Sequence, residues 1–203
     1  MKLFFLPGAC SLSPHIALRE AGIPFDLVRV RRADKRTVED EDLFAINPLG
    51  MVPALRLDDG EVLTEGPAIV QYVADLAPAS RLAPPSGTFA RYRLQETLNF
   101  LSTEVHKGFS PLFNPKTPDA YKVLAKEALA ARFGLLEARL AKAPYLLGDD
   151  FTVADGYLFT LLGWAPHAGV DLAPWPGLVA YRARIAARPA VVAALTAEGL
   201  LKA

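Results

Sequence analysis

One sulfur nucleophile stands near the start of the chain. Cys10 follows a short apolar run, residues 2–6, and the turn Pro7-Gly8, and it precedes Ser13-Pro14, which opens a helical stretch. A helix start carries unpaired N–H groups and the positive end of the helix dipole, so it favours an anion. A thiol held there is expected to lean toward thiolate, the nucleophilic form. Ser11 and Ser13 bring hydroxyls close by. The plain alternative is a cysteine that serves as a small buried hydrophobe. Cys10 is the only cysteine, and position 13, where a Cys-x-x-Cys pair would put the second thiol, is Ser. An intrachain disulfide, a dithiol redox pair and a multi-cysteine metal site are therefore excluded. Any redox cycle would need a thiol from outside the chain. A lone cysteine also fits a reducing compartment.

Three further groups could bind a ligand. Val52-Pro53 opens an apolar run, and proline, which lacks a backbone donor, belongs at a strand start or edge. Thr64-Glu65-Gly66-Pro67 reads as a strand-to-helix turn whose N–H groups suit a carboxylate and whose Glu65 could accept from an amine. Ordinary helix capping would explain the same residues. Further on, Asn99, Thr103 and His106 fall within about 60° of one another on a helix turning ~100° per residue, flanked by Glu104 and Lys107. An imidazole there could donate to, or accept from, a sulfur or a carboxylate. A solvated helix face is the alternative.

The elements that must position these residues fall into two halves. Residues 2–6 and 25–30 read as strands around a helix ending at Gly22, a βαβ unit. The segment 31–42 is a charged loop with a short helix. Residues 52–57 and 61–63 flank Asp58-Asp59-Gly60, a hairpin signal, and a helix covers 67–76. Residues 78–87 are rich in Pro, Ser and Ala and read as a linker. Beyond them only helices are expected. One starts at the N-cap Thr88 and runs to about Pro111, one starts at Thr117-Pro118, and one follows Thr152-Val153-Ala154-Asp155, a capping-box pattern with Asp for Glu. Two more cover 177–188 and 190–198. The expected division is an α/β domain over 1–77, a linker over 78–87 and an all-α domain over 88–203.

Composition excludes other classes. Of 203 residues, 22 are Lys or Arg and 22 are Asp or Glu, giving a formal net charge of +0. A duplex nucleic-acid partner, which asks for a basic excess, is not expected. No apolar run reaches the ~20 residues of a membrane span, and the apolar start is too short for a signal peptide, so the protein is expected to be cytoplasmic.

The segments Pro7-Gly8-Ala9-Cys10-Ser11-Leu12-Ser13-Pro14-His15-Ile16, Ile46-Asn47-Pro48-Leu49-Gly50-Met51-Val52-Pro53, Leu63-Thr64-Glu65-Gly66-Pro67, Glu104-Val105-His106-Lys107-Gly108 and Phe151-Thr152-Val153-Ala154-Asp155 together resemble bacterial beta-class glutathione S-transferases, in order and over essentially the whole chain. The resemblance implies a thioredoxin-like N-terminal domain, an all-α C-terminal domain, a homodimer, and glutathione as co-substrate in a cleft between the domains, with no metal. It assigns Cys10 to face the glutathione thiol, with Ser11 and His106 as further catalytic groups. Val52 would pair with the cysteinyl backbone before a cis Pro53. Glu65 and Gly66 would clamp the γ-glutamyl end, and Lys35 the glycyl carboxylate. Asn99, Thr103, Glu104 and His106 would form the helical side, part of it from the partner subunit. The Thr152–Asp155 box would serve folding.

Two departures qualify the carry-over. Positions 4 and 5 are Phe and the first tyrosine is Tyr72, so an N-terminal tyrosine cannot stabilise the thiolate. Position 66 is Gly where the wider superfamily has Ser, which leaves only a backbone N–H. The implied activity is conjugation of glutathione to electrophilic small molecules, with Cys10-dependent thiol transfer beside it. A non-catalytic glutathione- or ligand-binding stress protein is the alternative. The acceptor pocket is expected near Phe109, Phe113, Trp164 and His167.

Overall fold

A computed structural model of the chain describes residues 1–201. Its backbone contacts divide it into two units. One is Met1–Ala83 together with the chain from Arg188 onward, and the other is Pro84–Ala187. The C-terminal helix thus belongs with the first unit, although its sequence position groups it with the helices of 88–203.

The first unit is built on β1 (Lys2–Phe5), β2 (Asp26–Arg29), β3 (Ala54–Arg56) and β4 (Val62–Thr64), in the order β2-β1-β3-β4. β1 pairs in parallel with β2, Phe5 opposite Arg29, through the crossover helix α1 (Leu12–Glu20). It pairs antiparallel with β3, Phe4 opposite Ala54, and β3 continues into β4 as a hairpin turned at Gly60, whose φ is +94°. Strand residues alternate between faces. Phe4 therefore joins Val28, Val30 and Ala54 beneath α2 (Leu43–Ile46), which contributes Leu43 and Ile46. α3 (Gly66–Leu76) packs on α1, as does α9 (Pro189–Ala197), which buries Val191 and Ala194. This is the mixed four-stranded, thioredoxin-like architecture expected from the sequence.

The second unit contains α4 (Phe89–Phe100), α5 (Lys107–Phe113), α6 (Asp119–Leu140), α7 (Val153–Leu162) and α8 (Pro176–Ala186). Thr88 caps α4 by accepting from the Arg91 N–H. Between α4 and α5 the chain makes a π-helical turn over Leu101–His106, and the Lys107 N–H reaches the Ser102 carbonyl. The sequence reading has one α-helix here. The structure keeps the helix continuous but widens it, as single π turns do, often at functional sites.

Helix α7 is buried along its whole length. Its capping box is complete: Asp155 accepts from the Thr152 N–H at 2.8 Å and from the Thr152 hydroxyl at 2.9 Å. The same carboxylate accepts from the Leu146 N–H and from the Tyr181 hydroxyl of α8. Burial pushes the Asp155 carboxyl up, and these donors work against that shift. Among the described residues, no helix is long and apolar enough to cross a membrane.

Candidate active site

The turn between β1 and α1 carries Cys10, one residue before Ser11, the N-cap of α1. Its shape is held from inside. The Ser11 hydroxyl accepts from the Leu6 N–H and donates to the Leu6 carbonyl, each at 3.2 Å. The Ala9 N–H donates to the Leu6 carbonyl at 3.0 Å. Gly8 takes φ +70°, a conformation that suits glycine, and its N–H donates to Glu198 Oε2 at 2.9 Å. The other Glu198 oxygen lies 2.8 Å from His15 Nδ1, and both side chains are fully buried. Arg19 Nε donates to His15 Nε2 at 2.8 Å, so His15 carries its proton on Nδ1 and donates it to Glu198. A buried chain of polar contacts thus runs from Arg19 to the backbone two residues before Cys10.

The Cys10 thiol donates to the Val52 carbonyl at 3.2 Å, and the Val52–Pro53 bond is cis. A Cβ built at Gly66, the first residue of α3, would lie 3.9 Å from Pro53 Cγ. Next to it Glu65 is exposed and holds φ +65°, ψ 115° as the N-cap of α3. A non-glycine residue in that region is strained, and such strain gathers at ligand sites. Cys10, Val52, Pro53, Gly66 and Glu65 therefore form one contiguous run along the ends of β1, β3 and β4.

Lys35 stands in the loop after β2, also at positive φ (+58°). Its carbonyl accepts from the Leu43 N–H at 2.8 Å, and its ammonium has no partner among the described residues. The loop is braced by Arg31, paired to Asp34 and Asp40, and by Arg36, paired to Asp40. Those guanidiniums hold the Asp34 and Asp40 carboxyls below the usual carboxylate range.

In the second unit, Asn99, Thr103 and Glu104 are exposed and His106 is half-buried. The Thr103 hydroxyl donates to the Asn99 carbonyl at 3.0 Å, and Glu104 pairs with Arg132 at 2.7 Å. His106 Nδ1 lies 2.7 Å from the Tyr157 hydroxyl, and its ring meets Trp164 edge-on at 4.8 Å between centroids. Burial, with Lys107 adding a like charge, pushes the His106 imidazole down to about 4. His106 is therefore neutral near pH 7. Phe109 and Phe113 pack around the same Trp164, while His167 lies in a separate helical turn, Pro166–Ala168.

Residues 8–76 match the family model described as glutathione S-transferase, N-terminal domain, and residues 100–189 match the corresponding C-terminal domain. The chain is 48% identical over 200 residues to glutathione S-transferase GstA of Escherichia coli O157:H7, covering 98% of this chain and 100% of that one. The chain belongs to the glutathione S-transferase family. A glutathione S-transferase from a sphingomonad, solved in complex with glutathione, superimposes with a TM-score of 0.96 at 52% identity, covering 99% of this chain and 100% of that one. The beta-class glutathione S-transferase of Sphingomonas chungbukensis does so with a TM-score of 0.96 at 51% identity and the same coverage.

Ser11 is fully buried and its hydroxyl is bonded to the Leu6 backbone, which holds the Cys10 turn. The polar stripe differs from its 100° projection. The π turn re-aims residues 101–106, which turns His106 toward Tyr157 and Trp164 while Asn99, Thr103 and Glu104 stay in solvent. Ser13 is buried, and its hydroxyl has no hydrogen-bond partner among the described residues. Sequence reasoning missed Tyr157, Glu198 and His15. The first is 51 residues from His106 and the second 190 from Gly8, so no local signal marks either.

Proposed function

We propose that the chain is a glutathione transferase of the beta-class type, conjugating glutathione to electrophilic small molecules and exchanging disulfides with glutathione through Cys10. The observation that carries this reading is the Cys10 thiol, set at the start of α1 and 3.2 Å from the Val52 carbonyl, in a chain whose relative is solved with glutathione. Glutathione is then a co-substrate. Its cysteinyl backbone pairs with Val52, its γ-glutamyl end with Glu65 and the Gly66 N–H, and its glycyl carboxylate with the Lys35 ammonium. Asn99, Thr103, Glu104 and His106 are assigned to the same ligand by resemblance. A homodimer in the cytoplasm is part of the same reading.

In conjugation the glutathione thiol loses its proton to solvent. The thiolate attacks an electrophilic carbon, the C–S bond forms, and the leaving group departs with its electron pair. The chain's contribution is a field that favours the thiolate: the dipole of α1, and the Cys10 S–H, which can turn from the Val52 carbonyl to donate to the ligand sulfur. Bringing the two reactants together supplies the rest of the acceleration. In thiol transfer the Cys10 thiolate attacks one sulfur of a glutathione disulfide. A Cys10–glutathione disulfide forms, the original S–S bond breaks, and the departing sulfur leaves as thiolate with that bond's electron pair and then takes a proton from solvent. His106, neutral at pH 7, acts there as a hydrogen-bond partner of a sulfur rather than as a standing positive charge.

The test is turnover of 1-chloro-2,4-dinitrobenzene with glutathione, alongside reduction of a glutathione mixed disulfide. Cys10→Ala is expected to abolish the second activity and to keep part of the first. Retention on immobilised glutathione with no turnover of either substrate would support the binding-protein alternative instead.

A further inference from the structure

The loop that carries Lys35 is tied together by one carboxylate. Asp40 Oδ1 accepts from Arg31 Nη2 at 3.0 Å and from Arg36 Nε at 2.9 Å, so it joins residues on both sides of Lys35. Arg36 also donates to the Asp40 carbonyl. Asp34 completes the brace: its carboxylate accepts from Arg31 Nη2 at 2.8 Å and from the Arg36 N–H at 3.2 Å. The backbone closes inside it. The Arg31 N–H donates to the Arg36 carbonyl at 2.7 Å, and the Lys35 N–H donates to the Arg31 carbonyl at 3.1 Å. Glu41, beside Asp40, pairs with Arg56 of β3 at 2.5 Å, which anchors the loop to the sheet.

Two consequences fall on Lys35. The first is conformational. Its backbone holds φ +58°, in the left-handed region that a lysine keeps only where its surroundings fix it. Exposed ion pairs count for little one at a time, whereas one carboxylate shared by two guanidiniums constrains the chain between them. The second is electrostatic. A guanidinium offers a carboxylate two parallel donors and competes well with an ammonium for it. Asp34 and Asp40 engage the guanidiniums of Arg31 and Arg36, whereas the Lys35 ammonium has no partner among the described residues.

We propose that Asp40 is a positioning residue for the glycyl end of glutathione: it fixes the loop so that the Lys35 ammonium, rather than Arg31 or Arg36, meets the glycyl carboxylate. The proposal deepens the transferase reading and rests on its placement of Lys35 against glutathione. Asp40 acts through Lys35 and through the two arginines it engages. Its effect is therefore confined to ligands that carry a free carboxylate at that end.

The experiment measures KM and kcat with 1-chloro-2,4-dinitrobenzene as acceptor, and Kd by calorimetry. The thiols compared are glutathione and its glycyl ethyl ester, which keeps the thiol and lacks the charge. For the intact protein, the ester is expected to show a KM about tenfold above that of glutathione. Asp40→Asn keeps the shape of the side chain, and asparagine tolerates the left-handed backbone. It is expected to raise KM and Kd for glutathione about fivefold, with kcat and both constants for the ester unchanged. Lys35→Gln is expected to bring glutathione to the level of the ester, and adding Asp40→Asn to it is expected to change nothing further. An equal rise for both thiols in Asp40→Asn would mean general loosening of the fold. Additive effects in the double variant would mean that Asp40 acts apart from Lys35. Tighter glutathione binding would mean that the freed guanidiniums take the carboxylate themselves. Each of these overturns the proposal. An intact protein that turns over both thiols alike overturns it together with the Lys35 assignment, and leaves the transferase reading standing. The expected pattern in Kd without turnover of either thiol supports the positioning role and overturns the transferase reading alone.

Discussion

The Tyr157 hydroxyl lies 2.7 Å from Nδ1 of His106, joining the buried helix α7 to the end of the π turn. The imidazole is also wedged edge-on against Trp164. Its position is thus set by two residues of the same unit, and its charge state by burial.

The charge state is open to direct titration. With its folded value pushed from 6.5 down to about 4, the His106 ring signal in an NMR titration is expected to stay flat from pH 8 to 5 and to move near pH 4. In the unfolded chain the ring takes up its proton as pH falls through 6.5. The folded chain takes it up only near 4, so stability present at neutral pH is lost across that window. His106→Asn is expected to flatten that part of the stability profile. A ring that titrates near 6.5 would remove the argument for a neutral hydrogen-bond partner.

Tyr157→Phe removes one oxygen from a closely packed site. A hydroxyl facing neutral Nδ1 fixes the tautomer, so its loss is expected to let the imidazole proton exchange between its two nitrogens. The readout is the pair of imidazole nitrogen shifts, with thiol-transfer kcat falling about fivefold to tenfold, the effect of one lost hydrogen bond of ~1 kcal/mol or slightly more. Unchanged nitrogen shifts would show that Tyr157 does not set the tautomer.

Gly66→Ser tests the clamp on the glutamyl end. Gly66 needs no positive φ, and an added Cβ would meet only Pro53 Cγ, at the ordinary contact distance of 3.9 Å. The variant is expected to fold with stability unchanged or raised by about 0.5 kcal/mol, since Ser favours helix over Gly. Its hydroxyl is expected to tighten glutathione binding about fivefold, the worth of one added hydrogen bond of ~1 kcal/mol. Calorimetric titration with glutathione decides it, and weaker binding would place the glutamyl end elsewhere.

Asp155→Ala tests the folding role of the capping box. The buried carboxylate accepts from two backbone N–H groups and from the hydroxyls of Thr152 and Tyr181, and alanine leaves only the Tyr181 hydroxyl with an acceptor, the Asp155 carbonyl at 3.3 Å. Denaturant unfolding is expected to show a loss of about 3 kcal/mol. Asp155→Asn, which keeps the shape and one acceptor oxygen, is expected to lose less. A loss under ~1 kcal/mol in the alanine variant would mean that α7 does not depend on its box.

What the sequence made legible was local. The Asp58-Asp59-Gly60 turn, the Thr88 cap and the Thr152–Asp155 box are written in adjacent residues, and the structure has each of them. The placement of Cys10 before a helix was equally readable, because Pro7-Gly8 and Ser13-Pro14 bracket it. Contacts closed by the fold were not readable. Glu198 reaches Gly8 across most of the chain, and Ser11 turns inward because Leu6 offers both a donor and an acceptor. The π turn was hidden for a different reason: hydrophobic spacing gives a helix but not one extra residue in its turn.

The most direct measurement is the intact mass of the purified protein after exposure to glutathione disulfide, with peptide mapping. Attack by the Cys10 thiolate should leave one glutathionyl group per chain, located on Cys10, removed by reductant and absent from Cys10→Ala. A protein that stays unmodified while free thiol in the same solution exchanges normally would contradict a glutathione site built around Cys10.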